Sequence, residues 1–311
     1  AQRRPIETMK PLPICEGNIT IIIVTFNSAH CIAALAKGLA EMPHVIVIDN
    51  ASDDQTLSEI DQKLPHAKLI VNARNLGFGA ANNLALRQVT TPYALLLNPD
   101  CIPNAPFFVD LIEAAAMFPD ATVIAPHLLR RDGEVELSYR RPSSLWKSRG
   151  PKADGPCSVG FVCGAAMLLK MSAMEKIGLF DESFFLYYED EDLCQRIFMA
   201  KENIVLVPKI EIAHLSRSSV KGRNPLKSEF QRGFHHVQSK LLFKRKYFGA
   251  SSSNVLRLTT LALALVTLIP RLLIPHPRYL ARLLGRIVGL MLVGPKLNML
   301  RQLDQFKAPD N

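Results

Sequence analysis

Several signatures of common protein classes are missing from this sequence. There is one tryptophan, the six cysteines form no CxxC pair, and the 21 prolines and 16 glycines follow no fixed period. The missing period excludes collagen-like and solenoid architectures. Unpaired cysteines within apolar stretches are typical of small buried side chains in a reducing cytosol. A GxxxxGK[ST] phosphate loop is absent, and Gly77 and Gly79 lack the third glycine of a dinucleotide fingerprint, which disfavours a Rossmann NAD site.

The beginning of the chain also lacks an apolar run. Arg3, Arg4 and Lys10 are basic, but nothing before Ile19 has the apolar core of a signal peptide, so we expect the cytosolic side of a membrane. With 311 residues, 48% hydrophobic and 21% charged, the chain can bury one large core or two modest ones. This composition excludes a disordered protein and a pure coiled coil.

Positive charge is concentrated in the C-terminal third. The formal net charge is +9, but residues 1–214 hold 20 Lys and Arg against 25 Asp and Glu, which gives −5. Residues 215–311 hold 17 against 3, which gives +14 and restores the total of +9. A basic segment that is also apolar favours an anionic membrane surface over a nucleic acid. We therefore expect a membrane partner and no nucleic acid.

Within this third, the pattern predicts helices that lie on a membrane rather than cross it. Residues 258–270 are uncharged for only 13 positions, short of the about 20 that a spanning helix needs. Arg278, Arg282 and Arg286 recur at every fourth position and form a stripe, as in a helix within the headgroup layer. A pair of buried core helices is the alternative. Residues 228–248 are helical, basic and aromatic in pattern, and we expect their cations to face phosphate.

The first two thirds alternate between β-branched runs and helix-like stretches. The segment Ile19–Thr25 and the later runs are typical of fully buried parallel strands. Strands are predicted over 19–25, 45–48, 69–71, 94–97, 122–125, 204–207 and 211–213, and helices over 29–41, 54–64, 78–88 and 105–118. This order predicts a doubly wound α/β layer, in which ligands bind beyond the carboxyl ends of the strands.

Polar clusters stand where the predicted strands end. Any one of them has an ordinary explanation. Asp49 and Ser52 could cap the helix near residue 54, Asn27 could be a turn residue, and 75–83 could be a flexible loop. The clusters are Thr25-Phe26-Asn27, Asp49-Asn50-Ala51-Ser52, Asn75 to Gly79 with Asn82 and Asn83, Asn98-Pro99-Asp100, and His214.

In this order the clusters resemble the inverting glycosyltransferases of family two, which have the GT-A nucleotide-sugar fold. The pieces that carry the resemblance lie between residues 19 and 219 and are IIIVTFNS, VIDNASDD, NLGFGAANN, LLLNPD, GAAMLLK, GLFDESFFLYYEDEDLCQR and IAHLSRSS. The sequence looks most like the bacterial rhamnosyltransferase-like branch, which has NPD where other members have DxD. The resemblance implies a mostly parallel α/β sheet and a nucleotide-sugar donor.

The resemblance also implies a divalent metal, Mg²⁺ or Mn²⁺, that offsets the charge of the donor's diphosphate. Asp100 and His214 are the predicted metal ligands, and the polar run at 216–219 suits a diphosphate. Asn98 stands at the first acidic position of DxD, so this site has one carboxylate fewer. The alternatives are that Asp100 caps the helix near residue 105 and that His214 is an ordinary hydrogen-bonded residue.

An inverting transfer needs one base for the proton of the acceptor hydroxyl. Glu189, Asp190, Glu191 and Asp192 place four acids in one helical turn, where mutual repulsion could raise the pKa of one of them. By the resemblance, the family's ED pair corresponds to Glu189 and Asp190, and Asp190 is the predicted base. An acidic helix start that complements the helix dipole is the alternative.

The donor site follows from the same resemblance. Thr25, Asn27 and Asp49 are expected at the nucleotide, and Asn75 and Gly79 near the diphosphate or sugar. The small residues at 164–165 are expected to form a narrow floor under the donor sugar. We expect the side chains at 49, 100, 190 and 214 to converge around one metal ion and one activated sugar. The predicted nucleotide-sugar set is Thr25, Asn27, Asp49, Asn50, Ser52, Asn75, Gly79, Asn82, Asn98, Gly164 and Ala165.

The sequence thus predicts a membrane-associated inverting glycosyltransferase at the cytoplasmic face of the inner membrane, bound peripherally or monotopically. Its domains are an N-terminal extension (1–17), a GT-A catalytic domain (18–225) and a basic, apolar helical region (226–311). The expected reaction transfers L-rhamnose from dTDP-L-rhamnose to a lipid-linked or surface glycan. A UDP-sugar donor carrying galactofuranose or N-acetylglucosamine is one alternative, and a catalytically silent nucleotide-sugar-binding scaffold is another.

Overall fold

The computed structural model describes residues 17–140, 152–215, 224–273 and 276–292. These residues form two compact units. The sheet unit comprises the described residues of 1–76, 80–180 and 193–221, and the helical unit comprises 77–79, 181–192 and the described residues of 222–311. Most of the predicted N-terminal extension and the polar run at 216–219 lie outside the described residues. The domain limits at 17 and 225 stay predictions.

Strands and helices alternate along the chain as far as His214. The elements are β1 (Ile19–Thr25), α1 (Ala29–Leu39), β2 (Val45–Asp49), α2 (Thr56–Lys63), β3 (Lys68–Val71), α3 (Phe78–Leu86), β4 (Tyr93–Leu97), β5 (Cys101–Ile102), α4 (Ala105–Met117), β6 (Ala121–Leu129), β7 (Val135–Glu136), β8 (Tyr139–Arg140), β9 (Cys157–Val159), β10 (Phe161–Val162), β11 (Ala166–Lys170), α5 (Met171–Ile177), α6 (Glu189–Met199) and β12 (Asn203–His214).

The large sheet is mixed and has the strand order β3-β2-β1-β4-β11-β6-β12-β5, with β7 beside β6 and β9 beside β12. Strands β3, β2, β1 and β4 are mutually parallel, and β12 is parallel to β6. Strand β11 runs antiparallel between β4 and β6, and β5 is antiparallel to β12. The prediction of an α/β layer with a mostly parallel sheet is confirmed.

Both faces of this sheet are covered, which explains the uninterrupted β-branched run of β1. Ile21 and Ile23 pack in one buried cluster with side chains of α1 and α4. Ile22 points the other way and packs with side chains of α3 and α6. Alternate residues of a strand face opposite sides, so a strand with helices on both sides needs apolar residues at every position.

Two strand predictions are wrong in detail. The run at 69–71 is not fully buried, because β3 is an edge strand, with Leu69 37% and Val71 54% exposed. The runs at 204–207 and 211–213 are one strand, β12, whose register against β6 shifts between Val207 and Glu211. The polar and proline residues between the two runs are therefore an irregularity within a strand, not a turn.

The helical unit contains α7 (Pro225–Leu273) and α8 (Pro277–Met291). Gly249 interrupts α7 with a φ of 84°, in the left-handed region that favours glycine. The two helices pack backbone against backbone. A Cβ atom on Gly233 would lie 2.1 Å from the carbonyl oxygen of Arg282, and one on Gly285 would lie 2.0 Å from that of Phe230, so only glycine fits at either position.

The part of α7 after Gly249 presents an apolar surface. Its most apolar 18-residue window, with a mean hydropathy of 1.7, is only 6% buried. By length and composition α7 can cross a membrane, contrary to the expectation drawn from the 13-residue uncharged run. The alternative of a buried core helix does not fit this exposure. The most exposed apolar side chains here are Val255, Leu258, Leu263, Val266, Ile269 and Leu273.

Candidate active site

Asp49 is fixed at the carboxyl ends of two neighbouring strands. The register of β1 against β2 places Thr25 opposite Asp49, and both are fully buried. The Thr25 hydroxyl donates to Asp49 Oδ1 at 2.9 Å, and the Ser52 amide donates to Oδ2 at 2.8 Å. The alternative that Asp49 caps the next helix is wrong, because α2 begins at Thr56, whose amide donates to Asp54 at 2.9 Å.

The loops after β1 and β2 are tied together by Asn27. Its amide donates to the Ser52 hydroxyl at 2.9 Å, and its side-chain oxygen accepts from the Asp53 amide at 2.9 Å. Asn27 has a φ of 53° and Ala51 a φ of 65°. A left-handed alanine costs of order 1 kcal/mol and persists only where surrounding contacts hold it, as they do at many binding sites.

Asn50 extends this network to the loop after β3. Its side-chain oxygen accepts from Asn72 Nδ2 at 2.9 Å and from the Leu76 amide at 3.3 Å. Asn75 lies in this loop and is partly buried, and Asn82 is 1% exposed in α3. Residues 72–76 are therefore held by hydrogen bonds, which does not fit the alternative of a flexible loop.

Glycine is required at the start of α3. Gly77 has a φ of 89°, and a Cβ there would lie 2.1 Å from the Phe185 carbonyl oxygen. The Phe78 amide donates to the same oxygen at 3.0 Å. Gly79 is buried one residue further on. The first glycine of the motif NLGFG thus allows two backbone segments of the helical unit to approach closely.

The NPD motif forms a tight turn between β4 and β5. The Asn98 amide donates to the Ala165 carbonyl at 2.8 Å, and the Cys101 amide donates to the Asn98 carbonyl at 3.0 Å. Because β11 pairs with β4 from Ala166 onward, Gly164 and Ala165 lie against this turn, and both are buried. The structure thus brings together Asn98 and two small residues that the sequence singled out separately.

Asp100 and His214 are brought together by the pairing of β5 with β12, which sets His214 opposite Cys101. His214 Nε2 lies 3.5 Å from Asp100 Oδ1, and its Nδ1 lies 3.1 Å from Glu136 Oε2. Asp100 is 2% and His214 8% exposed. Asp100 does not cap α4, because Asn104 accepts the Phe107 amide there at 3.0 Å.

The charge on His214 follows from these contacts. Burial alone lowers the pKa of His214, but the carboxylates of Asp100 and Glu136 outweigh it and raise the pKa to about 9. The imidazole is therefore protonated at neutral pH in the metal-free protein, and it must lose a proton to bind a metal. Glu136 can then orient the ring by accepting the Nδ1 proton, as carboxylates beside metal-bound histidines commonly do.

The donor set fits a metal ion that is shared with a substrate. Asp100 and His214 offer one carboxylate and one imidazole at adjoining atoms. Within the described ranges no group of three or more His, Cys, Asp or Glu side chains is arranged to hold a metal ion. Mg²⁺ is commonly bound through one or two protein ligands with substrate phosphates and water completing its coordination. The pair suits that mode.

Asp190 differs from the other acids at the start of α6. Glu189, Glu191 and Asp192 are buried, at 6%, 9% and 0% exposed, whereas Asp190 is partly exposed. Burial raises the pKa of Glu189 well above its usual value, and the nearby Asp190 and Glu191 raise it further. These surroundings thus favour the neutral form of the Glu189 carboxyl over its charged form. A cluster that only complemented the helix dipole would not need three buried carboxyls.

Asp192 is bound by two residues of α7 that sequence reasoning missed. Lys246 Nζ lies 2.6 Å from Asp192 Oδ1 and 2.7 Å from Asp181 Oδ2, and the Tyr247 hydroxyl donates to Asp192 Oδ1 at 2.8 Å. Lys246 was expected to face phosphate, and this expectation is wrong because it faces two carboxylates. The sequence gives no sign of the pairing, which spans 54 positions.

The segment before α6 has a strained backbone that α7 holds in place. Tyr187 and Tyr188 have φ values of 68° and 67°. The Ser239 hydroxyl donates to the Leu186 carbonyl at 2.9 Å, and the His236 ring packs against both tyrosine rings. Two consecutive left-handed residues are costly, so these contacts fix the direction in which the chain enters α6.

Comparison with known proteins agrees with this geometry. Residues 20–178, about half of the chain, match the model of "Glycosyl transferase family 2". The N-acetylglucosaminyl-diphospho-decaprenol L-rhamnosyltransferase of Mycobacterium tuberculosis is 28% identical over 67% of this chain and 78% of its own. The rhamnosyltransferase WbbL of Escherichia coli is 27% identical over 63% of this chain and 83% of its own.

Solved structures show the same fold. The mannosyltransferase PcManGT of Pyrobaculum calidifontis, in complex with GDP-Man and Mn²⁺, has a TM-score of 0.53 and 16% identity over 89% of this chain and 88% of its own. Staphylococcus aureus TarS has a TM-score of 0.51 and 18% identity over 75% of this chain and 44% of its own. The chain therefore belongs to glycosyltransferase family 2 and is a glycosyltransferase with the GT-A fold.

Proposed function

We propose that this protein transfers L-rhamnose from dTDP-L-rhamnose, with inversion, to a sugar hydroxyl of a lipid-linked glycan acceptor. Several relatives carry rhamnosyltransferase names, including the dTDP-rhamnosyl transferase RfbF of Shigella flexneri, 25% identical over 74% of this chain and 81% of its own. The mycobacterial relative is named for an acceptor sugar on a lipid diphosphate. The observation that carries the proposal is Asp190, the single partly exposed acid among four at the start of α6.

The donor's nucleotide is assigned to the network around Asp49. This buried carboxylate is held by Thr25 and Ser52, and it fixes the ends of β1 and β2 at which the base or ribose would bind. Asn27 and Asn50 hold the surrounding loops, and Asn98, Gly164 and Ala165 form the turn assigned to the donor sugar. Asn75, Gly79 and Asn82 are assigned to the diphosphate side.

In the transfer step, Asp190 takes the proton of the acceptor hydroxyl. The hydroxyl oxygen forms a bond to the anomeric carbon on the face opposite the leaving group, and the bond from that carbon to the diphosphate oxygen breaks. The nucleoside diphosphate leaves with the electron pair. Asp100 and His214 would hold a divalent metal, Mg²⁺ or Mn²⁺, which offsets the charge of the leaving diphosphate when bound. Burial and the neighbouring acids raise the pKa of Glu189, which makes Asp190 the better candidate for the charged base.

A nucleotide screen tests the donor class. A ligand at 100 times its Kd stabilises the folded protein by about 2.7 kcal/mol, so the bound nucleotide should raise the melting temperature measurably. We expect dTDP to raise the melting temperature more than UDP or GDP does, and Asp49→Asn to reduce that rise. A larger rise with UDP would favour the alternative UDP-sugar donor. A rise with dTDP but no transfer of rhamnose to any acceptor would favour the silent scaffold.

A fractionation experiment tests the membrane assignment. We expect the protein in the membrane fraction and its partial release by high salt or high pH, because both basic and apolar groups of the helical unit bind the surface. Leu263→Glu with Ile269→Glu should lower the membrane-bound fraction strongly, since both side chains are exposed beyond Gly249. Leu226→Glu is the control, an exposed leucine in the first turn of the same helix. A soluble wild-type protein would contradict the assignment.

A further inference from the structure

Two stripes of basic side chains meet in the helical unit. Both have the four-residue spacing that puts side chains on one face of a helix. They adjoin where Gly233 of α7 contacts α8, since a Cβ on Gly233 would lie 2.1 Å from Arg282 O and 3.2 Å from Arg286 N. The crossing stripe, as we call it, consists of Arg232, His236 and Lys240 on α7 and Arg282 and Arg286 on α8.

The crossing stripe has more positive charge than its carboxylate partner can balance. Glu229 accepts from Arg232 Nη1 at 3.0 Å and from Arg282 Nε at 2.6 Å. One carboxylate thus serves two guanidinium groups. Among the residues that the structure describes, Lys240 and Arg286 have no carboxylate within salt-bridge distance. Within the described part of the chain, these two cations are therefore available to an anionic ligand.

The charge state of His236 agrees with this excess. Burial lowers the pKa of His236, and the positive charges of Arg286, Lys240 and Arg282 lower it further, to about 4. The imidazole is therefore neutral at physiological pH. The positive charges of these three side chains therefore dominate the electrostatic surroundings of the ring. His236 lies among groups that favour an anion and disfavour another proton.

The crossing stripe lies beside the segment that carries the proposed base. The His236 ring is 5.5 Å from the ring of Tyr187 and 5.7 Å from that of Tyr188. The next two residues of the chain are Glu189 and Asp190. His236 of the crossing stripe thus contacts the segment that leads directly into the proposed base. Past Gly249, α7 continues into the exposed apolar surface at 255–273.

We infer that the crossing stripe binds the diphosphate of the lipid-linked acceptor, with Lys240 and Arg286 as its principal contacts. The inference rests on the proposed function. In such an acceptor the reacting sugar is bonded directly to the diphosphate, so the phosphates lie one sugar ring from the hydroxyl that Asp190 deprotonates. Arginine forks and lysine ammonium groups are the usual protein partners of phosphate. The apolar surface of α7 suits the hydrocarbon tail.

Transfer to two acceptors tests the inference with the full-length protein. One acceptor is N-acetylglucosaminyl diphosphate on a short prenyl chain, and the other is octyl N-acetylglucosaminide, which has no phosphate. For Lys240→Gln with Arg286→Gln, we expect the acceptor KM to rise at least about tenfold for the first and to stay unchanged for the second. The donor KM should not change. Lys240→Arg with Arg286→Lys keeps both charges and should restore the KM for the diphosphate acceptor.

A matched control also removes one lysine and one arginine, both from another side of α7. Lys227 and Arg245 lie about 140° around the helix from Lys240 at 3.6 residues per turn. The Lys227→Gln, Arg245→Gln variant should leave both acceptor KM values unchanged. Two results for the Lys240→Gln, Arg286→Gln variant would overturn the inference. One is an equal rise in KM for both acceptors, and the other is an unchanged KM for the diphosphate acceptor.

A binding measurement separates this inference from the proposed reaction. Phosphatidylcholine vesicles containing undecaprenyl diphosphate are compared with vesicles containing phosphatidylglycerol at equal surface charge. We expect tighter binding to the diphosphate vesicles, with that preference lost in the Lys240, Arg286 variant. No preference in the wild type would mean that the stripe only recognises anionic membranes, and the inference would fail. If the protein preferred the diphosphate vesicles but transferred no rhamnose, the diphosphate site would be supported and the proposed reaction would be contradicted.

Discussion

Asp190→Asn is expected to reduce the rate of glycosyl transfer by about 10² to 10⁴, the usual contribution of a positioned general base. The amide cannot take the proton of the acceptor hydroxyl, while its size and shape are nearly those of the carboxylate. The Asp190 Oδ1 atom accepts from the Glu191 amide at 2.8 Å, and the side-chain oxygen of asparagine can keep that bond. The fold and the binding of dTDP should therefore be almost unchanged. Initial rates and a nucleotide melting curve on the same preparation would show both effects.

Two neighbouring carboxyls serve as comparisons. Glu182 is exposed in the loop before α6, and Glu182→Gln should leave the rate within about twofold, as expected of a surface substitution away from the chemistry. Glu189→Gln should cost less activity than Asp190→Asn, because burial raises the pKa of Glu189 and so favours the neutral carboxyl that glutamine resembles. If Glu189→Gln lost more activity than Asp190→Asn, the base would be Glu189. Full activity of Asp190→Asn would remove Asp190 from the mechanism.

Those parts of the candidate site that depend on local patterns could be predicted from the sequence. Continuous β-branched runs mark strands that are buried on both faces, and polar residues directly after them mark the ligand-binding edge of a parallel sheet. Thr25 and Asp49 meet for this reason, since β1 and β2 are neighbours in register. The acidic turn at 189–192 was recognisable from its composition and from the family motif.

Other parts of the site depend on pairings that no local pattern reveals. Glu136 reaches His214 because the two-residue strand β7 joins the edge of β6, within a stretch that looked irregular. The Asp100–His214 contact depends on another two-residue strand, β5. Short strands have too few residues for a recognisable alternation of apolar and polar side chains. Strand β3 has only four residues, and for the same reason its position at the edge of the sheet could not be recognised.

The role of α7 was also out of reach of sequence patterns. Its basic residues were all assigned to phosphate because composition gives charge but not direction. In the structure, Lys246 faces Asp181 and Asp192, whereas Lys240 lies on the crossing stripe. Six positions separate the two lysines, which places them on different sides of the helix. A helix that looked like a membrane appendage also holds the acidic loop of the helical unit.

Lys246→Met is expected to destabilise the protein by about 3 kcal/mol, because it leaves the fully buried Asp192 carboxylate without its cation. Breaking a buried ion pair costs about 3 to 5 kcal/mol. We expect the lower end of this range, since Lys246 is 31% exposed and water can enter in its place. Transfer should also slow, with kcat falling more than the donor KM rises, because Asp192 lies two residues after the proposed base. Denaturant unfolding and steady-state kinetics would measure the two effects.

The cause of this loss can be separated from simple loss of packing. Lys244→Met is the control, because Lys244 packs over the Phe248 ring at 3.8 Å and should lose less than about 1 kcal/mol. Adding Asp192→Asn to Lys246→Met removes the stranded charge, and the Tyr247 hydroxyl can still donate to the amide oxygen. The double variant should therefore be more stable than Lys246→Met alone. If instead the double variant lost, relative to the wild type, the sum of the two single losses, the carboxylate and ammonium would not act as a pair. In that case α7 would hold the acidic loop through its aromatic and Ser239 contacts.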